Sequence, residues 1–140
     1  MRRFVSLVSL LCVVVALYGC KSKDDSMPTL SKINEVSISK SKDLDELNED
    51  FFFSSDAKKI TANFQEIMKH TTSTNQEVNT RKVNYDILVK YNDDKTHGLH
   101  LALGDEGEGS LLTFIGNNNK VYKVSPDDTK RIREIITLGV

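Results

Sequence analysis

Cysteine and tryptophan are the scarcest residues in this 140-residue chain, which contains two cysteines and no tryptophan. Cys12 lies inside an apolar leader, so Cys20 would be the only cysteine left once the leader is removed. One cysteine cannot form an internal disulfide, which excludes a disulfide-stapled fold. A secreted domain of this kind must therefore be held together by its hydrophobic core.

No charge of one sign dominates the chain, which has 19 basic and 20 acidic residues and a net charge of −1. A nucleic-acid-binding protein would show a basic patch or stripe, so this class of partner is excluded. The longest apolar run, residues 4–18, is shorter than the roughly 20 residues of a membrane-spanning helix. The sequence also contains no G-x-S-x-G, phosphate-binding loop or zinc-protease motif.

The first 19 residues have the organisation of a secretory signal peptide. Arg2 and Arg3 form a positive start, and the apolar run that follows has the length of a signal-peptide hydrophobic region. No acidic residue occurs before Asp24. We therefore expect export of the chain by the ordinary secretion route.

The leader ends in Leu17, Tyr18, Gly19 and Cys20, which resembles the lipobox of bacterial lipoproteins. The resemblance implies that the Cys20 thiol receives a diacylglyceryl group through a thioether and that a peptidase cuts before Cys20. It also implies that the new amino group can be acylated, for example with palmitate. Tyr18 departs from the pattern, in which a small residue is usual. The alternative is a plain buried cysteine in a signal-anchor helix.

Three segments follow from this interpretation. Residues 1–19 form the signal peptide, residues 20–29 form the lipidated cysteine and a polar tether, and residues 30–140 form a single domain. We expect the protein to be lipid-anchored to the cell membrane on its extracytoplasmic face.

The domain begins with a strand pattern and contains four more. Residues 33–39 alternate, and the strongest alternation, at residues 82–91, predicts a half-buried antiparallel strand with Asp86 facing away from the core. Turn residues separate further strand patterns at residues 97–103, 110–115 and 120–124, which indicates a meander. Residues 40–50 are compatible with either a loop or a short helix.

Two amphipathic helices are predicted, one before the meander and one after it. Ser54 or Ser55 would cap the first, with Asp56 in its first turn. Ser125 would cap the second, with Pro126 at its first position and Gly139 at its end. The fold class is therefore α+β, an antiparallel meander with both helices packed on one face. The expected core residues are Val83, Tyr85, Ile87, Val89, Leu99, Leu101, Ile60, Phe64, Ile67 and Ile135.

The order of these parts resembles the YhfM-like small lipoproteins of Firmicutes. The resemblance rests on an F-S-S-D entry to the first helix, the segments NYDILVKY and LHLALG, a glycine-bearing loop, and KVYKVSPDDTKRIREII near the end. The stretch at residues 101–103 departs from it, because a bulkier, tryptophan-containing stretch is expected there. The resemblance implies the cellular location and the fold of the protein, and it implies no enzymatic reaction.

The histidines and the acidic loops contain the candidate metal ligands. His97 and His100 form H-x-x-H, but on a strand this spacing places the two rings on opposite faces, and His70 lies in another element. Asp105, Glu106 and Glu108 lack the ligand series of a calcium loop. We predict solvated side chains in that loop and in the acidic run 43–50, although the run could contact a basic partner.

The sequence thus predicts a membrane-anchored, non-catalytic interaction or accessory module of the cell envelope. Its expected partners are the membrane, through the lipid on Cys20, and a protein of the envelope. No cofactor, metal or catalytic residue is predicted. The alternative is a small envelope hydrolase or metal-binding protein whose carboxylates and histidines cannot be paired from the sequence.

Overall fold

The core of the domain is an antiparallel sheet of seven strands with two helices. The computed structural model describes residues 25–78 and 82–140. The elements are β1 (Ile33–Lys40), β2 (Phe53–Ser55), α1 (Lys58–His70), β3 (Thr72–Thr74), β4 (Tyr85–Tyr91), β5 (Thr96–Ala102), β6 (Ser110–Phe114), β7 (Asn117–Val124) and α2 (Pro126–Leu138). The α+β class and the meander from β4 to β7 are confirmed.

The strand order is β2-β1-β4-β5-β6-β7-β3, with every neighbouring pair antiparallel. Helix α1 connects β2 at one edge to β3 at the other. Six strand spacings of about 4.8 Å amount to roughly 29 Å, whereas a helix of 13 residues is about 20 Å long. Together with the residues that connect it to β2 and β3, α1 is long enough to span the sheet from one edge to the other.

Both helices pack on one face of the sheet, here called the inner face, as the sequence predicted. One cluster joins sheet side chains such as Ile38, Ile87 and Leu99 to Phe64 and Ile67 of α1. Helix α2 adds Ile132, Ile135 and Ile136 to the same cluster. Of the expected core residues, Val83, Tyr85 and Ile60 are only half-buried, and the rest are buried. Tyr85 and Ile60 pack against the margin of the cluster, whereas Val83 precedes β4 and lines a surface depression with residues 41–45.

The two helix starts differ. Ser125 caps α2 as predicted, since its side chain accepts a hydrogen bond from the backbone N–H of Asp128, and Pro126 follows it. The prediction for α1 was wrong: Ala57 occupies the N-cap position and no side chain caps it. Ser55 instead belongs to β2, where it pairs with Val36. The strand pairing keeps the serines extended and delays the helix to Lys58.

Gly139 ends α2, as predicted, and the reason lies in packing. The residue has φ −95°, which any residue can adopt. A Cβ on Gly139 would lie 2.6 Å from the Cβ of Phe53. The end of α2 therefore rests directly on the phenylalanines that lead into β2, and a side chain at this position would push them away.

The packed chain starts earlier than the predicted boundary at residue 30. Met27 is only 2% exposed and belongs to the core cluster. Its backbone N–H donates to the Thr71 hydroxyl at 2.8 Å, and the N–H of Ser73 donates to the carbonyl of Asp25 at 2.6 Å. Residues 25–27, here called the strap, therefore lie along β3.

Ile87 tests which face of β4 carries the core. Ile87→Ala should lower the free energy of unfolding by about 2–5 kcal/mol, because it removes a fully buried side chain and leaves a cavity. The measurement is urea unfolding followed by circular dichroism. Leu138→Ala is the control: Leu138 is 67% exposed, so its loss should change the stability by less than about 0.5 kcal/mol. A loss below about 1 kcal/mol for Ile87→Ala would contradict the assignment of the inner face.

Candidate functional site

The three histidines do not meet. His97 and His100 lie on opposite faces of β5, as their spacing predicted, because His97 opposes Val89 on the inner face while His100 opposes Asp86 on the outer face. His70 ends α1 and is exposed. Within residues 25–78 and 82–140, no group of three or more His, Cys, Asp or Glu side chains is arranged to hold a metal ion.

The outer face of the sheet carries a fully buried ion pair. Nδ1 of His100 lies 2.7 Å from Oδ1 of Asp86, and both side chains have 0% exposure. The alternation of β4 predicted that Asp86 faces away from the hydrophobic core, and it does. It is nevertheless out of water, because another part of the chain covers it.

That cover is the connection between β1 and β2, residues 41–52, here called the flap. The Leu44 carbonyl accepts from His100 Nε2 at 2.7 Å, and the backbone N–H of Asn48 donates to Asp86 Oδ2 at 2.8 Å. The Ser39 hydroxyl donates to the Asn48 carbonyl at 2.5 Å. The flap is thus bonded to a row of polar side chains on β1, β4 and β5. It contains no helix or strand, which settles the alternative that the sequence left open.

The acceptors around His100 specify its charge. A carbonyl and a carboxylate can only accept, so both ring nitrogens must carry hydrogen, which makes the ring an imidazolium. Burial alone would lower the pKa of His100. The hydrogen bonds to Asp86 and Leu44 and the negative charges of Asp86 and Asp43 outweigh burial and raise its pKa above the ordinary value.

His97 lies in a different setting, an open cleft at the end of the sheet with a volume of about 410 Å³. Its Nδ1 lies 2.8 Å from the Tyr91 hydroxyl. Its ring packs edge-on against Tyr91 and Phe114, with centroid distances of 5.3 Å and 4.7 Å. Burial lowers the pKa of His97, which favours a neutral ring at pH 7. The cleft is lined by Pro28, Thr96, His97, Gly98, Phe114, Ile115, Asn117, Lys120 and Tyr122.

A third polar group joins the two helices. Asp128 at the start of α2 accepts from Nη1 of Arg131 at 3.0 Å and lies 3.0 Å from Nδ1 of His70 at the end of α1. Arg131 also donates to Glu66 of α1 at 3.2 Å. These contacts join the end of α1 to the start of α2, which is a structural role.

The remaining candidates from the sequence divide into two groups. Asp105, Glu106 and Glu108 are exposed in the loop between β5 and β6. Cys20 and the residues before it, Leu17, Tyr18 and Gly19, lie outside the described residues. Among the residues that are described, no helix is long and apolar enough to cross a membrane.

Sequence reasoning missed the ion pair because each half looks ordinary alone. Asp86 occupies a position that an alternating strand normally exposes to solvent. His100 belongs to an H-x-x-H spacing that by itself indicates no site. The available signal was the alternation itself, which places Asp86 and His100 on outer faces of consecutive strands joined by a short turn. It could not show that residues 41–52 fold back over them.

Comparison with known proteins gives one family and one fold. The family model described as YhfM protein matches residues 30–138. Among solved structures, a thioesterase-like protein from Clostridium sporogenes ATCC 15579 is similar, with a TM-score of 0.55 and 18% identity over 74% of this chain and 93% of that chain. The similarity concerns the fold, an antiparallel sheet wrapped around a helix as in the hotdog fold. No curated protein sequence matches significantly.

The two strand histidines should give opposite pH dependences of stability. The raised pKa of His100 adds stability that is fully present below the unfolded value of about 6.5 and is lost as pH rises through the folded pKa. The lowered pKa of His97 acts in the other direction, because the folded protein binds the proton on His97 less tightly than the unfolded chain does. The free energy of unfolding should therefore increase at this site as pH rises towards about 6.5.

The measurement is denaturant unfolding of the wild type, His100→Gln and His97→Gln between pH 5 and 9. His100→Gln should cost about 3 kcal/mol or more at pH 6, because it leaves Asp86 buried without its partner. The difference between the wild type and His100→Gln should shrink as pH rises. A difference that is constant or grows with pH would contradict the charged state of His100.

Proposed function

The chain belongs to the YhfM family, and we propose that it is a lipoprotein of the cell envelope, anchored through Cys20, whose folded domain is a non-catalytic interaction or accessory module. The observation that carries this proposal is the position of Cys20. It stands directly after Leu17, Tyr18 and Gly19, at the end of an apolar run and before a polar segment. This is the pattern of a lipid-modified cysteine at a signal-peptide cut.

The burial of Asp86 and His100 supports a structural role for this ion pair. A general acid or base must reach the proton that it transfers. Asp86 and His100 are fully buried, and their hydrogen bonds go to each other and to the flap. They hold a surface segment in place, which is what an interaction module needs.

Anchoring by lipid fits the charge of the domain. Loss of Arg2 and Arg3 with the leader makes the remaining chain more acidic than the full sequence, so electrostatic attraction would not hold it to an anionic leaflet. Each buried CH₂ of an acyl chain contributes about 0.8 kcal/mol. One chain binds only marginally, whereas two chains anchor stably, so a diacylglyceryl group on Cys20 is sufficient.

Cys20→Ser should abolish lipid attachment and the cut before residue 20. The measurement is incorporation of labelled fatty acid in the expressing bacterium together with partitioning into a detergent phase. Cys12→Ser is the matched control and should behave as the wild type, because Cys12 is removed with the leader. Label on the Cys20→Ser protein, or wild-type protein in the aqueous phase, would overturn the anchoring proposal.

The second candidate function is ester or thioester hydrolysis in the cleft at His97. Two observations favour it: His97 is half-buried beside Tyr91 with a lowered pKa, and a protein of similar fold is described as thioesterase-like. A base of this kind would need a nucleophile or an activated water nearby. The described lining of the cleft includes no carboxylate, which favours the non-catalytic proposal.

Hydrolysis can be tested directly. Purified wild-type protein and His97→Gln are incubated with p-nitrophenyl esters and acyl-coenzyme A thioesters of several chain lengths, and product release is followed. We expect equal, background rates for both proteins. Release by the wild type at least tenfold above that of His97→Gln would establish the second candidate instead.

A further inference from the structure

The strap fixes the chain close to the predicted lipid. Met27 is 2% exposed, and the Thr71 hydroxyl that accepts from its N–H at 2.8 Å is itself bonded to the Met68 carbonyl at 2.7 Å. The carbonyl of Asp25 accepts from the N–H of Ser73 on β3. Asp25, where the described part of the chain begins, is therefore held beside the β3 edge of the sheet.

Few residues separate this point from Cys20. The chain makes five Cα-to-Cα steps from Cys20 to Asp25, which span at most about 17 Å when fully extended. A domain of this size has a radius of gyration of about 13 Å, which corresponds to a diameter of roughly 34 Å. The connection is therefore about half as long as the domain is wide, and the domain cannot turn freely about its anchor.

We propose that the β7–β3 edge, with the strap along it, is the side of the domain that faces the membrane. The proposal rests on Cys20 carrying the lipid, as proposed above. The partner of this surface is the headgroup layer of the bilayer that holds the acyl chains. The opposite edge, β2, lies six strand spacings away, roughly 29 Å measured along the sheet. It is held on the outward side.

The distribution of charge supports this orientation. The flap follows β1, next to the β2 edge, and bears one exposed lysine, Lys42, against five exposed acidic side chains, Asp43, Asp45, Glu46, Glu49 and Asp50. Near the β3 edge the charges are balanced: Lys69 in the last turn of α1 and Lys123 opposite Thr72 are exposed, as are the acidic Asp25 and Glu77. Anionic headgroups attract lysine and repel carboxylates. They would therefore disfavour the reversed orientation, in which the flap approaches the bilayer.

The consequence concerns what the protein presents to the envelope. The flap, held in shape by Asp86 and His100, points away from the membrane, together with the β2 edge. A protein partner that approaches from outside meets this acidic surface first, whereas the strap and β3 are shielded by the bilayer.

The orientation can be measured on the intact lipidated protein, isotopically labelled and placed in phosphatidylcholine–phosphatidylglycerol nanodiscs. A small fraction of the lipid carries a gadolinium chelate on its headgroup, which broadens nearby amide signals. We expect the amides of Thr72, Ser73 and Thr74 to relax at least fivefold faster than those of Ser54, Ser55 and Asn48. Equal enhancement at both edges, or greater enhancement at the flap, would overturn the proposal.

A variant with a longer tether is the matched control. A flexible Gly/Ser segment of about 20 residues inserted between Asp24 and Asp25 has a root-mean-square reach of about 25 Å. It should reduce the difference between the edges at least threefold while lipid labelling stays unchanged. A difference that persists would show that tether length does not set the orientation. Absence of label on either protein would refute anchoring itself, whereas label without orientation refutes this inference alone.

Discussion

The ion pair between Asp86 and His100 is the interaction on which the outer half of the domain depends. The helices cover only the inner face of the sheet, so the outer face would ordinarily be exposed to solvent. Two opposite charges buried on that face are costly unless each is paired and hydrogen-bonded. The flap supplies the missing bonds through the Leu44 carbonyl and the Asn48 amide. The pair and the flap therefore stabilise each other: without the flap the charges would be solvated, and without the charges the flap would keep only its other bonds, such as those from Ser39 and to Lys40.

The edges of the sheet are a second constraint. Edge strands expose unpaired backbone groups that can recruit other chains, and short edges limit this hazard. Both edge strands, β2 and β3, have only three residues. The strap also occupies one backbone donor of β3, since the N–H of Ser73 is bonded to Asp25. The contact that protects this edge also holds residues 25–27 against it, and the proposed orientation at the membrane rests on this contact.

Much of the fold was predictable because it depends on local patterns. The alternation in β4, the turns that separate β4, β5 and β6, and the Ser125–Pro126 start of α2 appear where the sequence placed them, whereas β7 begins at Asn117, three residues before its predicted start. The errors share one cause, which is tertiary pairing that overrides a local preference. Ser55 is a good helix cap by type, yet it pairs with Val36 in β2. Met27 looks like part of a polar tether, yet its backbone bonds to Thr71 and its side chain is buried in the core cluster.

The sequence by itself determined the α+β class, the helix and strand periodicities, and the lipobox pattern at Cys20, since each is written in residues close together along the chain. Only the tertiary structure decided that Asp86 and His100 are buried, that residues 41–52 cover them, and that His97 opens into a separate cleft. The physical reason is that burial of a polar side chain depends on which distant segment lies above it. Periodicity indicates on which side of a strand a residue lies, but it carries no information about whether that side is exposed to solvent.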